Sequence, residues 1–420
     1  MIKQLKTFLL FWSTQALSQL GSSMTSFALT IWLYEETGSA LKSSLLMICS
    51  YAPYVVISIF AGALSDKWNK KKTMLICDSL AALMTLIVLI LIINNSLRPW
   101  HMYLINIVEG FMNSFQGPAS ETTMSFITPK EYYQKTSGLK SFSRSLITIL
   151  NPVLSTALYS LFGMKIICVI DLISFLIAFV SLLFIDTKEE KNESISEDIM
   201  GLIQDGFNYL KDNRLILDII IFMSGINFVA SAFDSVITPL VLSKTNSETI
   251  LGLVNSSSGI AMLVGSFIAT LMKEPKNKAI TIYWMIFISM LLENFIIAFS
   301  NNPIMWCFGQ VLGWLPIPIF STSYEVLFKN TIPIEMQGRV YSFRNCLQFF
   351  TIPIGYFVGG LMVDLFEPLM NSLNNNVLSS LFGYGLGSGA ALAMFVLGIL
   401  GVVWCIPFFG KLDDNRLVEQ

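Results

Sequence analysis

Charge is what this chain has least of. Only 13% of its 420 residues are Asp, Glu, Lys or Arg, about half the fraction usual in soluble domains, while 54% are hydrophobic. A soluble fold of this length cannot hide that much apolar surface, which excludes a row of globular domains. The net charge of −2 offers no basic footprint for nucleic acid. Histidine is almost missing: His101, beside Trp100 at the end of an apolar run, stands alone and reads as an interfacial residue rather than a proton relay. Cysteine is sparse. Cys49, Cys77, Cys168, Cys307, Cys346 and Cys405 each sit inside an apolar run, no two at metal-ligand spacing, so they read as small packing residues and no metal is expected. The absence of a GxSxG turn, a Walker loop and a His/Cys cluster argues against an enzyme and against a cofactor.

What the chain has instead is long apolar runs. A membrane-crossing helix needs about 20 predominantly apolar residues. Twelve stretches qualify, at about 8–34, 43–65, 73–93, 100–121, 137–160, 164–185, 215–238, 249–272, 279–300, 303–328, 340–363 and 387–409. The first follows Met1, Lys3 and Lys6 as a signal peptide would, but stays apolar to about Tyr34 with no small-residue cleavage site, so it reads as a span. The expectation is an all-α membrane protein of twelve transmembrane helices in two six-helix halves, 1–185 and 215–420, joined by a polar linker, 186–214. Within the linker Ile199, Leu202, Ile203, Phe207 and Leu210 recur at helical spacing, which predicts a short amphipathic helix on the membrane surface. With both termini cytoplasmic, all of the 26 Lys and Arg except Lys42, Arg98, Lys165 and Lys244 fall on the inner side. The positive-inside rule therefore places both ends of this multi-pass chain inside the plasma membrane.

A helix that faces only lipid should be apolar all round, whereas one lining water should carry a polar stripe at spacings of three and four. Span 1 carries Gln15, Gln19, Ser22 and Ser26; span 4 carries Asn106, Glu109, Asn113 and Gly117; span 7 carries Ser224, Asn227, Ser231 and Asp234. Span 10 is weaker, with Gln310, Gly313, Ser321 and Glu325, and is bent by Pro316 and Pro318. Span 5, with Lys140, Arg144, Thr148, Asn151 and Ser155, and span 11, with Arg344, Gln348, Thr351, Gly355 and Gly359, repeat the pattern. Spans 3, 6, 9 and 12 show little beyond apolar residues, apart from Asp78, Asp171 and Glu293. Polar stripes also glue helices together. A period of three across both halves nevertheless favours helices 1, 4, 7 and 10 as central and every third helix as peripheral, with Asp171 structural. The halves resemble each other as well: Pro129, Glu131 and Lys135 match Pro333, Glu335 and Arg339 at a constant offset of 204 residues. Many secondary transporters are built from two such halves.

After span 2 the chain reads Gly62-Ala-Leu-Ser-Asp66-Lys67-Trp68-Asn69-Lys70-Lys71-Lys72. This resembles the signature loop of the major facilitator superfamily, G-x-x-x-D-R/K-x-G-R/K-R/K, with Asn69 in place of the late glycine. Asn tolerates left-handed backbone, so the turn is expected to survive there. The resemblance implies that Gly62, Asp66, Lys67, Lys70 and Lys71 form a gate motif on the cytoplasmic side. Further pieces resemble the drug:proton antiporter branch that includes bacterial macrolide-efflux proteins. They are Glu35-Glu36-Thr37-Gly38-Ser39-Ala40, Pro53, Asp78, Phe115-Gln116-Gly117-Pro118-Ala119, Pro129-Lys130-Glu131, Asp171 with Phe175, and Gly338-Arg339-Val340.

The resemblance implies export of a bulky amphipathic drug, macrolide-like, by proton antiport, with a small molecule, protons and the lipid bilayer as partners and no partner protein assigned. The arginine that many such antiporters carry in span 4 is Asn106 here, and their Gly-Pro of span 5 is Asn151-Pro152. Glu109 is positioned to take over. It lies about nine residues from the outer end of its span, roughly 14 Å deep, where a carboxyl can exchange a proton as the cavity switches sides. Arg144 and Asp234 join it as coupling candidates. For the substrate, Gln15, Gln19, Ser22, Asn113, Asn151, Asn227 and Gln348 offer hydrogen bonds, and Phe27, Tyr51, Tyr54 and Trp314 offer apolar contact.

Overall fold

The computed structural model describes residues 6–128, 132–185, 207–273, 275–333, 340, 344–372 and 377–412. Among them all regular structure is helical. The long helices are α1 (Lys6–Thr37), α2 (Ala40–Lys67), α3 (Lys70–Ile93), α4 (Pro99–Ile127), α5 (Tyr133–Phe162), α6 (Met164–Phe184), α7 (Arg214–Thr245), α8 (Glu248–Leu271), α9 (Lys278–Ala298), α10a (Pro303–Trp314), α10b (Ile317–Thr331), α11 (Thr351–Ser372) and α12 (Ser388–Cys405). Ten spans are long and apolar enough to cross a bilayer, with α10a and α10b together making one of them. The other two of the twelve are α1 and α4, at 32 and 29 residues. They are long enough, but the Gln, Asn, Ser and Thr on one face of each dilute their hydropathy.

Helix ends follow local chemistry. Asn69 caps α3, its Oδ1 accepting from the Lys72 amide at 2.8 Å. Its backbone is extended at φ −65°, not left-handed, so the Asn that replaces the motif glycine serves as an N-cap instead of a tight turn. Asn277 and Asn302 cap α9 and α10a in the same way. Asn246 closes α7 in the left-handed region at φ 49°, its amide bonded to the Leu242 carbonyl. Pro316 and Pro318 remove two helical donors and split span 10 into α10a and α10b.

Two spans run longer than their apolar signal. α7 continues through Pro239 to Thr245, and α11 continues through Asp364, Glu367 and Pro368 to Ser372. The two carboxylates are used as caps. Asp364 accepts from the Ser39 hydroxyl and from the amides of Ala40 (2.8 Å) and Leu41 (3.4 Å) at the start of α2. Glu367 accepts from the amides of Gly387 (2.6 Å) and Gly389 (2.9 Å) at the start of α12. A carboxylate suits the positive end of a helix dipole.

The chain divides into two compact units, Met1–Glu36 with Cys49–Glu197, and Thr37–Ile48 with Asp198–Gln420. Thus the first nine residues of α2 group with the later half of the sequence. In the first unit α3 packs against α4 and α6, and α5 against α6. Phe11, Met74, Ala119, Leu182 and Ile185 form a core there. Lys71 ties α3 to α6: its Nζ donates to the carbonyls of Leu183 (2.9 Å) and Ile185 (2.6 Å), at the negative end of α6. In the second unit α7 packs against α11 and α12, and α9 against α10a, α10b and α12. Of the expected linker, residues 207–212 are helical, with Leu210 buried and Phe207 exposed; Ile199, Leu202 and Ile203 lie outside the described residues.

Candidate functional site

The first unit holds a cavity of about 350 Å³. Five helices reach it at helical spacing. From α1 come Gln15, Ser18, Gln19 and Ser22; from α3, Asp78, Ala81, Ala82 and Thr85; from α4, Glu109, Met112, Asn113, Gln116 and Ser120. Lys140, Ser143 and Arg144 of α5 and Asp171, Leu172 and Phe175 of α6 complete the wall. The polar faces that dilute α1 and α4 are therefore the faces that line it.

Three carboxylates meet the cavity in different states of saturation. Asp171, buried, accepts three hydroxyls: Ser22 at 3.0 Å and Thr25 at 3.0 Å from α1, and Thr85 at 2.9 Å from α3. The approach depends on Gly21, where an added Cβ would run into the Ser174 hydroxyl and the Asp171 backbone. Asp78, also buried, accepts the side-chain amides of Gln15 (3.4 Å) and Gln116. Glu109, half-buried, has no hydrogen bond or ion pair among the described residues. It is thus the carboxyl whose oxygens remain open to a proton or to cargo. Arg144, exposed on the wall, and Lys140 bring positive charge to the same cavity. Asn106, at the position of the family's arginine, is buried and donates to the Met102 carbonyl of its own helix at 3.0 Å.

Of the residues expected to matter, Gln15, Gln19, Ser22, Glu109, Asn113 and Arg144 come together here. Phe27, Tyr51, Tyr54 and Asn151 do not line this cavity; Asn151 accepts from Ser155 within α5. Asn227, Asp234, Trp314 and Gln348 belong to the second unit. There Asn227 donates to the Gln348 carbonyl (3.1 Å), and the buried Gln348 donates to the Tyr324 hydroxyl (2.6 Å). Asp234 is exposed on an otherwise buried stretch of α7. In the gate motif Gly62, Asp66 and Lys67 fall in the last turns of α2, their side chains outside the described residues. Lys70 is buried and donates to the Trp68 carbonyl, and Lys71 makes the α6 tie.

Spans 3 and 6 are not purely peripheral, as their apolar composition suggested. Each turns a face with one aspartate, Asp78 or Asp171, to the cavity. The signal was present: a carboxylate inside an apolar span costs several kcal/mol unless it faces a partner or water.

The profile of the Major Facilitator Superfamily matches residues 11–292, two thirds of the chain. The chain belongs to that superfamily. Its curated relatives include macrolide efflux protein A of Streptococcus pyogenes, 23% identical over 363 residues, which cover 85% of this chain and 89% of the relative. The staphyloferrin A transporter of Staphylococcus aureus is 22% identical, covering 85% and 89%. The multidrug efflux pump Tap of Mycolicibacterium fortuitum is 21% identical, covering 82% and 86%. Among solved structures the nucleoside transporter NupG shares the fold at TM-score 0.69 and 13% identity, over 96% of this chain and 98% of that one. A bacterial homologue of the lysosomal transporter Spinster does so at 0.69 and 11%, over 97% and 96%. This chain is therefore a multi-pass membrane transporter of the superfamily, and its cavity sits in the half that holds most of the matched region.

Proposed function

We propose that this transporter is a secondary exporter that carries a bulky, largely apolar molecule, with a macrolide-type compound as leading cargo, in exchange for protons. The cavity in the first unit supports this reading most directly. Neutral hydrogen-bonding groups dominate its wall, and one carboxyl, Glu109, is left unsaturated among them. Gln15, Gln19, Ser22 and Asn113 offer hydrogen bonds without strong charge selection, and Met112, Met124 and Phe175 add adaptable apolar contact. The efflux relatives point the same way. Glu109 takes a proton from one side of the membrane and yields it to the other, and Arg144 lines the same cavity. The Lys-rich segments set both termini in the cytoplasm, so the motif from Gly62 to Lys72 gates the inner side.

Import or export of a different small metabolite is the second reading. Lys140 and Arg144 on the wall favour it, because two cations would suit an acidic cargo. Both readings are tested in a host lacking its own pumps. Energy-dependent accumulation of a radiolabelled macrolide should drop when the chain is expressed and recover when an uncoupler is added. Equal accumulation with and without folded protein removes the macrolide.

A further inference from the structure

Outside the cavity, the second unit contains a carboxyl with no obvious purpose. Glu293 lies in the C-terminal third of α9 and is only 5% exposed. It is packed against α10a at Gly313, where an added Cβ would overlap the carboxyl group itself. Trp314 hydrogen-bonds it from the same helix. Its Oε1 is buried with no hydrogen-bond partner, and the same is true of Oε1 of Gln310, one turn before Gly313, and of Oδ1 of the neighbouring Asn294. All three orphaned atoms are acceptors, so what the α9–α10a contact lacks is a donor. No Lys, Arg or His pairs with Glu293 among the described residues.

A bare carboxylate in that setting is costly twice over. It has no cation to offset burial in an apolar span, and a buried polar atom left without a hydrogen bond forfeits the bond it made to water. A proton on Oε1 removes the charge and supplies a donor among these acceptors. We infer that Glu293 is a proton-binding site of the C-terminal half, neutral in this conformation. Protonation of Glu293 stands on the packing alone; its part in coupling rests on the exporter reading given above.

The test uses the full-length transporter, purified and folded. Infrared spectra at neutral pH should show the carbonyl stretch of a protonated carboxylic acid that Glu293→Gln loses and Glu293→Asp shifts. Glu293→Gln should fold, because the amide keeps both shape and a donor. If it does not, the Glu293→Asp shift still reads the site. Coincident carboxylic-acid bands in wild type and both variants would overturn the inference. In vesicles, Glu293→Gln should lose uptake driven by a pH gradient while retaining exchange of labelled for unlabelled drug. Gradient-driven uptake at the wild-type rate would overturn the coupling role. Should the wild-type protein move no drug at all, the exporter reading fails while the spectra still decide protonation.

Discussion

Removing the carboxylate of Asp171 is the sharpest structural perturbation this fold offers. Asp171→Ala strips the acceptor from Ser22, Thr25 and Thr85, and so unties α1 and α3 from α6 in one step. Hydrogen bonds between helices in a membrane average about 0.6 kcal/mol and reach about 1.7, and bonds to a charged acceptor sit at the upper end of any series. Three of them therefore sum to about 3–5 kcal/mol. Part is recovered, because a freed Ser or Thr hydroxyl can turn back to the carbonyl one helical turn earlier, leaving a net loss of about 2–4 kcal/mol. Thr85→Val should cost about 1–1.5 kcal/mol, and the double variant Asp171→Ala/Thr85→Val should cost little more than Asp171→Ala alone, since the two share one bond. The assay is denaturant-induced unfolding of the purified protein in mixed micelles. An Asp171→Ala protein within about 0.5 kcal/mol of wild type, or costs that add in full in the double variant, would refute the shared-acceptor account.

Glu109→Gln should abolish uptake driven by a pH gradient and leave drug binding close to wild type, which a fluorescence titration alongside a flux assay would separate; loss of both together would make Glu109 a cargo residue instead. Asp364→Ala should lower stability by about 1–2 kcal/mol, the usual value of a lost N-cap, because the amides of Ala40 and Leu41 lose their acceptor; an unchanged unfolding curve would mean water replaces it. A cysteine introduced at the exposed Asn69 should react with a membrane-impermeant label only from the cytoplasmic side, and labelling in intact cells would invert the topology.

The helices were legible because twenty-residue apolar runs have few readings in a protein. Their ends were less so. Asp364, Glu367 and Pro368 look like loop until one sees that both carboxylates cap other helices from within α11. The cavity was half legible. The stripes on α1 and α4 announced themselves by period, and Glu109 by its depth. Asp78 and Asp171 signalled only by being carboxylates in apolar spans; a lone aspartate carries no period, and only contact with Gln15 and Gln116, or with three hydroxyls, tells a cavity wall from a strut. Asn69 misled for a different reason: Asn favours both left-handed turns and N-caps, and the helix that begins at Lys70 decides between them. Gln348 pointed to cargo by its residue type, yet it is buried against Tyr324 within its own unit.

Proton-coupled transport itself is tested most directly in vesicles of purified protein. An inward-directed substrate flux is measured with an imposed pH gradient as the only driving force, with uncoupler and with Glu109→Gln as controls. The proposed exchange predicts accumulation of labelled macrolide above equilibrium against protons leaving the lumen, collapsing to the equilibrium level in both controls. Accumulation that ignores the gradient, or none from folded protein, would contradict it.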